Sequence, residues 1–91
     1  MPLPAPCLVV AWTERDGVEP TGRTVVRDGV LRPEVRVVPR ARALVWSRDP
    51  ADWGAGRAWA AREGYRAMVL PDTGDVLARA RDAVLAQAGA P

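Results

Sequence analysis

The feature that most restricts the fold is an internal echo. Ala43-Leu44-Val45-Trp46 leads into Asp49-Pro50-Ala51-Asp52-Trp53 and an Ala/Arg-rich stretch ending at Gly64. Ala67-Met68-Val69-Leu70 leads into Asp72-Thr73-Gly74-Asp75-Val76 and a second such stretch ending at Gly89. Each unit reads as a short apolar strand, a D-x-x-D helix start, and a helix closed by glycine, which accepts the left-handed conformation at a helix end. Strand–helix–strand joined this tightly predicts two parallel strands in a right-handed crossover. Residues 43–89 are therefore expected to form a parallel β-α-β-α unit. Val76, Leu77, Ala80, Ala83, Val84 and Ala88 give the second helix an apolar stripe at i, i+3, i+4 spacing. The first helix carries Gly54 and Gly56, and places Trp53, Gly56, Trp59 and Ala60 on one arc, which suggests close packing on a sheet.

The N-terminal half has a different grammar. Proline alternates with other residues through Pro6, so residues 1–6 are expected to be a flexible, extended lead-in. Cys7 to Trp12 ("CLVVAW") is a continuous apolar run, as in a strand buried on both faces. "RDGV" occurs at 15–18 and again at 27–30, and Asp-Gly between strand-like segments is a strong hairpin signal. Residues 7–42 are thus expected to form an antiparallel meander. Pro33 and Pro39 make its last arm an edge or irregular strand, with Glu34, Arg36 and Arg40 as solvated guards. The expected fold is one small α/β domain over 7–89, in which the antiparallel meander precedes the parallel β-α-β-α unit in a mixed sheet. Residues 90–91 form a tail.

Composition excludes several kinds of chemistry. All thirteen basic residues among the 91 are arginine, and lysine, histidine, isoleucine, asparagine and phenylalanine do not occur, a pattern that points to GC-rich coding. The net charge of +2 is too small to signal a nucleic-acid partner by itself. Without histidine, Ser-His-Asp and Cys-His nucleophile systems cannot be assembled. One cysteine permits neither an intrachain disulfide nor a thiolate zinc site. The N-terminus lacks the form of a signal peptide, and no apolar run approaches the ~18 residues of a membrane span. A cytoplasmic protein without a membrane partner, and without a cofactor, is the expectation.

The motifs that suggest chemistry have simpler explanations. "LPDTGD" (70–75) has the form of a cell-wall sorting signal, yet an amphipathic helix follows instead of a membrane anchor. It also contains the aspartic-protease triplet, but Pro71 interrupts the strand that should lead into it. Asp72 and Asp75 instead read as a helix-capping pair, repeated by Asp49 and Asp52 with Pro50 at the favoured first helical position. If the strands are parallel, these four acids would line their carboxyl ends, where Mg²⁺ with phosphoryl-transfer or nuclease chemistry is an alternative. Gly54-Ala55-Gly56 is a partial dinucleotide fingerprint in which Trp59 occupies the place of the third glycine. Glu34-Val35-Arg36 has arginine where a nuclease would need a basic catalytic lysine.

Two surfaces remain. Arg36, Arg40, Arg42 and Arg48 interleave with Trp46, which would suit phosphate pairing and base stacking in a nucleic-acid-binding accessory protein. With two helices covering one sheet face, Cys7, Val9 and Ala11 would be left as an apolar interface on the other. The function expected from sequence is a small, soluble, non-catalytic protein-interaction module, self-associating or docking on a larger protein.

Overall fold

A computed structural model describes residues 3–88. The sharpest local decision is made at Asp28-Gly29, where φ is +53° and +76°. Both signs are positive, as a two-residue type I′ hairpin turn requires. The turn joins β1 (Pro6–Arg27) to β2 (Val30–Ser47) in one long antiparallel hairpin, with Arg27 opposite Val30 and Leu8 opposite Ser47.

The expected meander is thus a single hairpin, and the first "RDGV" lies inside β1. Glu14 faces Arg40 while Gly17 faces Val38, so β1 holds one extra residue in a bulge there. Gly17 is buried, and a Cβ on it would meet Arg40 Nε at 2.7 Å and Val38 Cγ2 at 3.0 Å. The glycine serves close cross-strand packing and not a turn. A second irregularity between Pro20 and Thr24 contains Gly22 at φ +85°, and a third sets Trp46 as the extra residue on β2.

A 3-10 turn (Pro50–Asp52) and α1 (Trp53–Glu63) lead from β2 to β3 (Arg66–Pro71), and α2 (Val76–Ala88) follows. Pro6–Ala11 of β1 pair antiparallel with Pro71–Arg66 of β3, giving the sheet order β2-β1-β3. The parallel β-α-β-α unit does not form. Ala43–Trp46 is the last part of β2, and its ladder partner is β1. Both outer strands run in one direction, but Cys7–Trp12 fills the slot between them. An apolar run of that kind is best buried with a strand on each side. Closing a two-residue turn also orders far less chain than closing a crossover.

The helices take opposite faces of this sheet. Val76, Ala80 and Val84 of α2 form the core cluster with Cys7, Val9 and Ala11, and Ala41, Ala43, Val45, Met68 and Leu70 pack around it. On the other face α1 approaches Leu8 so closely that a Cβ on Gly56 would lie 2.6 Å from Leu8 Cδ2 and 2.7 Å from the Trp46 ring. Trp59 stacks on Trp46 with centroids 5.4 Å apart, and Trp12 stacks on Tyr65 at 4.6 Å. Gly64, at φ +74°, ends α1 by donating its N–H to Ala60 and Ala61. The expected closure of α2 at Gly89, and the 90–91 tail, lie outside the described residues. No described helix is long and apolar enough to cross a membrane.

The helices and β3 cover only the base of the hairpin, because β3 stops at Ala11 on β1. Past the Glu14–Arg40 pair, a two-stranded arm projects for roughly 35 Å at the usual rise per residue. The radius of gyration is 18.1 Å and the long axis 61 Å. A compact chain of this length would have a radius near 12 Å.

Candidate interaction surface

The residues expected to form an apolar interface are interior. Cys7, Val9 and Ala11 are fully buried beneath α2. The premise fails because each face of the central strand has its own helix. Burial raises the Cys7 thiol pKa, with Asp72 adding to the rise and Arg48 opposing it.

The four acids expected near the strand ends are each engaged locally. Asp49 accepts from Ala51 N at 3.1 Å and caps the 3-10 turn, with Pro50 at its start. Asp52 precedes α1 but makes no side-chain cap; its carboxylate accepts from Ser47 Oγ at 3.1 Å. Asp72 does not cap α2, which begins four residues later, and is ion-paired with Arg48. Asp75, immediately before α2, accepts from Thr73 Oγ1 and from Arg79 Nε at 2.9 Å. These bonds, Thr73 first, hold its carboxyl below the usual range. No group of three or more potential metal ligands gathers among the described residues.

Of the arginines expected to meet nucleic acid, Arg36, Arg40 and Arg42 are on one face of β2 and Arg48 lies just past its end, yet acids answer all four. Arg36 pairs with Glu19, Arg40 with Asp16 at 4.0 Å, and Arg42 with both Glu14 (3.1 Å) and Asp16. The carboxyl of Glu14 is held low, first by a hydrogen bond from Trp12 Nε1 and then by Arg42. Trp46 is half-buried, stacked on Trp59, and donates Nε1 to Asp52 O at 3.1 Å. It belongs to the base, away from Arg36.

A surface that sequence reading missed is more extensive. The arm's bulges lie on β1, so β2 keeps strict alternation from Val30 to Val45. One face of β2 carries Leu31, Pro33, Val35, Val37, Pro39, Ala41, Ala43 and Val45, and the other carries Arg32, Glu34, Arg36, Arg40 and Arg42. Opposite the first set stand Val26, Thr24, Pro20 and Val18, paired with Leu31, Pro33, Val35 and Val37. From Val18 and Val37 outward to Val26 and Leu31 the result is a stripe without a charged residue. Ala41, Ala43 and Val45 lie in the core under α2, whereas Val18, Val26, Leu31, Val35 and Val37 are 56–71% exposed. The signal was present in the period-two pattern of residues 30–45, obscured by the prolines within it.

Those prolines decide how the arm can be approached. In a two-residue hairpin the flanking pair exchanges hydrogen bonds, and every second pair does so thereafter. Counting from Arg27 and Val30, Pro33 and Pro39 fall where the backbone nitrogen faces outward, and so does Pro20 opposite Val35. Donors are removed from both free edges, which blunts edge-to-edge strand pairing. The face is left as the accessible apolar surface.

One open cleft of ≈ 360 Å³ lies at the base, where β3 begins; Trp12, Thr13, Tyr65 and Gln87 line it, with Glu63 and Arg66 as its charged groups. Arg66 is occupied by Gln87 Oε1 at 2.9 Å. Comparison of the chain with protein-family models, with curated proteins and with solved structures gave no match, so no family is assigned to it.

Proposed function

We propose that the chain is a non-catalytic protein-interaction module whose docking surface is the uncovered apolar face of the β1–β2 arm. The observation that carries the reading is the continuity of that stripe. The same alternating residues that α2 covers at the base run outward with nothing over them. A two-stranded ribbon is only marginally stable alone in water, and exposed contiguous apolar area marks a binding site. A cytoplasmic setting is part of the proposal, and a free, buried Cys7 thiol is compatible with a reducing compartment.

A benzophenone side chain introduced at Val35 in living cells tests the reading. Adducts of any mass that disappear when Val18→Glu is added on the same face are the expected result. No adduct at this position would defeat the proposal. The nucleic-acid alternative has less support, because Arg36, Arg40, Arg42 and Arg48 all have acid partners. Duplex DNA and single-stranded RNA are expected to give no electrophoretic shift at physiological salt. A salt-sensitive shift lost in Arg36→Gln/Arg40→Gln/Arg42→Gln would reverse that judgement.

A further inference from the structure

We propose that the arm's apolar face is covered by the same face of a second copy of this chain, the two arms lying antiparallel about a two-fold axis. The inference rests on the reading of the arm as a docking surface and specifies its occupant.

Three observations select a second copy. The first is chemical. Between Leu31 and Val37 of β2, and Val26 and Val18 of β1, the face holds only valine, leucine, proline and Thr24. A matching surface must be apolar and uncharged, and the face itself has those properties. The second is area. Val18, Pro20, Thr24, Val26, Leu31, Pro33, Val35 and Val37 offer on the order of 80 Å² apiece. They would bury about 600 Å² on each chain, the lower end of what a specific interface needs per partner. The third is layering. The base has a helix on each side of the sheet, whereas the arm is a single layer, and stable architectures need at least two. Two arms stacked face to face, about 10 Å apart, supply that layer reciprocally.

The place of α2 selects the direction. At the base that helix lies over the same sheet face, against Ala41, Ala43 and Val45. Parallel arms would force two such helices into a gap of about 10 Å, the width of one. Antiparallel arms leave each α2 beyond the partner's turn. The two-fold axis then passes near Pro33 and Val35, and Leu31 of one chain lies over Val37 of the other.

Light scattering and sedimentation of the full chain over a wide concentration range test the assembly. The expected mass is twice the 9.8 kDa of one chain. Val35→Glu should give the monomer, while Val30→Glu, on the opposite face, should leave the dimer intact. All four tryptophans are in the base, so their fluorescence verifies folding of each variant independently of the arm. A short bismaleimide should join Leu31→Cys chains to Val37→Cys chains when the two are mixed, and should not join Leu31→Cys chains to each other. The buried Cys7 leaves this readout clean. A monomer at all concentrations, or a dimer indifferent to Val35→Glu, overturns the second copy as occupant. In-cell adducts at Val35 of some other mass would then retain the docking surface, and their absence would remove both. Self-linking of Leu31→Cys overturns the antiparallel arrangement.

Discussion

Gly54 and Gly56 sit two positions apart in α1 and should respond to alanine in opposite directions. At Gly54 nothing lies within 4 Å of an added Cβ, so Gly54→Ala should gain up to about 1 kcal/mol from helix propensity alone. At Gly56 the same methyl would press on Leu8 and the Trp46 ring, and overpacking of about 1–3 kcal/mol should outweigh that gain. Urea melts of the two variants check both signs. Glu14 and Asp75 have carboxyl pKa values depressed by their hydrogen bonds. The folded chain therefore binds these protons less readily than the unfolded chain. Their contribution is present above the unfolded carboxylate range and is lost as pH falls through the folded values. The melting temperature should drop on acidification, and less so in Glu14→Gln. Cys7 titrates in the opposite sense. Its raised pKa contributes stability below the unfolded thiol value that is lost as pH rises through the folded one, and native Cys7 should resist thiol reagents until the chain unfolds. At this scale the sequence was partly legible. Gly56 was readable as a close-packing glycine because it shares an arc with Trp53, Trp59 and Ala60. Gly17 was not, because "RDGV" looks alike at both sites and only the cross-strand neighbours Arg40 and Val38 distinguish them.

Among the elements, the Asp28-Gly29 turn specifies the arm and little else. Gly29→Val would force a branched residue into φ +76°, a strain of about 1–2 kcal/mol. Amide hydrogen exchange should quicken from Val18 to Val37 and stay unchanged in Leu8–Ala11 and α2, since the core makes no use of the turn. Uniform loss of protection would mean that arm and base fold as one unit. The echo that suggested parallel strands is real as a local pattern: strand, helix, strand and helix occur in that order. It misled because neighbours in a sheet are chosen by long-range pairing, which no strand–helix repeat encodes. "CLVVAW" held the better clue. A run apolar on both faces belongs in the centre of a sheet, with a helix on each side and a strand on each edge. Taken with two helices, it implied coverage of both faces and left Cys7, Val9 and Ala11 no exposure to offer.

At the scale of the whole molecule, the base should be separable from the arm. Every buried residue among those described except Gly17 lies in Cys7–Ala11, α1 or α2, and the clustered aromatics Trp12, Trp46, Trp59 and Tyr65 are also outside the arm. Glu14 and Arg40 are direct partners at a hydrogen-bonded position, so a two-residue Asn-Gly turn can replace residues 15–39 without altering register. The shortened chain should keep the tryptophan fluorescence of the native cluster and unfold cooperatively. Its radius of gyration by small-angle scattering should be about 11 Å, the value for a compact chain of its length, against 18.1 Å for one full chain with its arm extended. Its mass should be that of one chain, since the surface that joins two copies is gone. The Val35→Glu chain, monomeric but with its arm intact, should instead retain a radius near 18.1 Å. A shortened chain that fails to fold would show that the arm contributes to the base, and would place the cost of its exposed valines in stability instead of association.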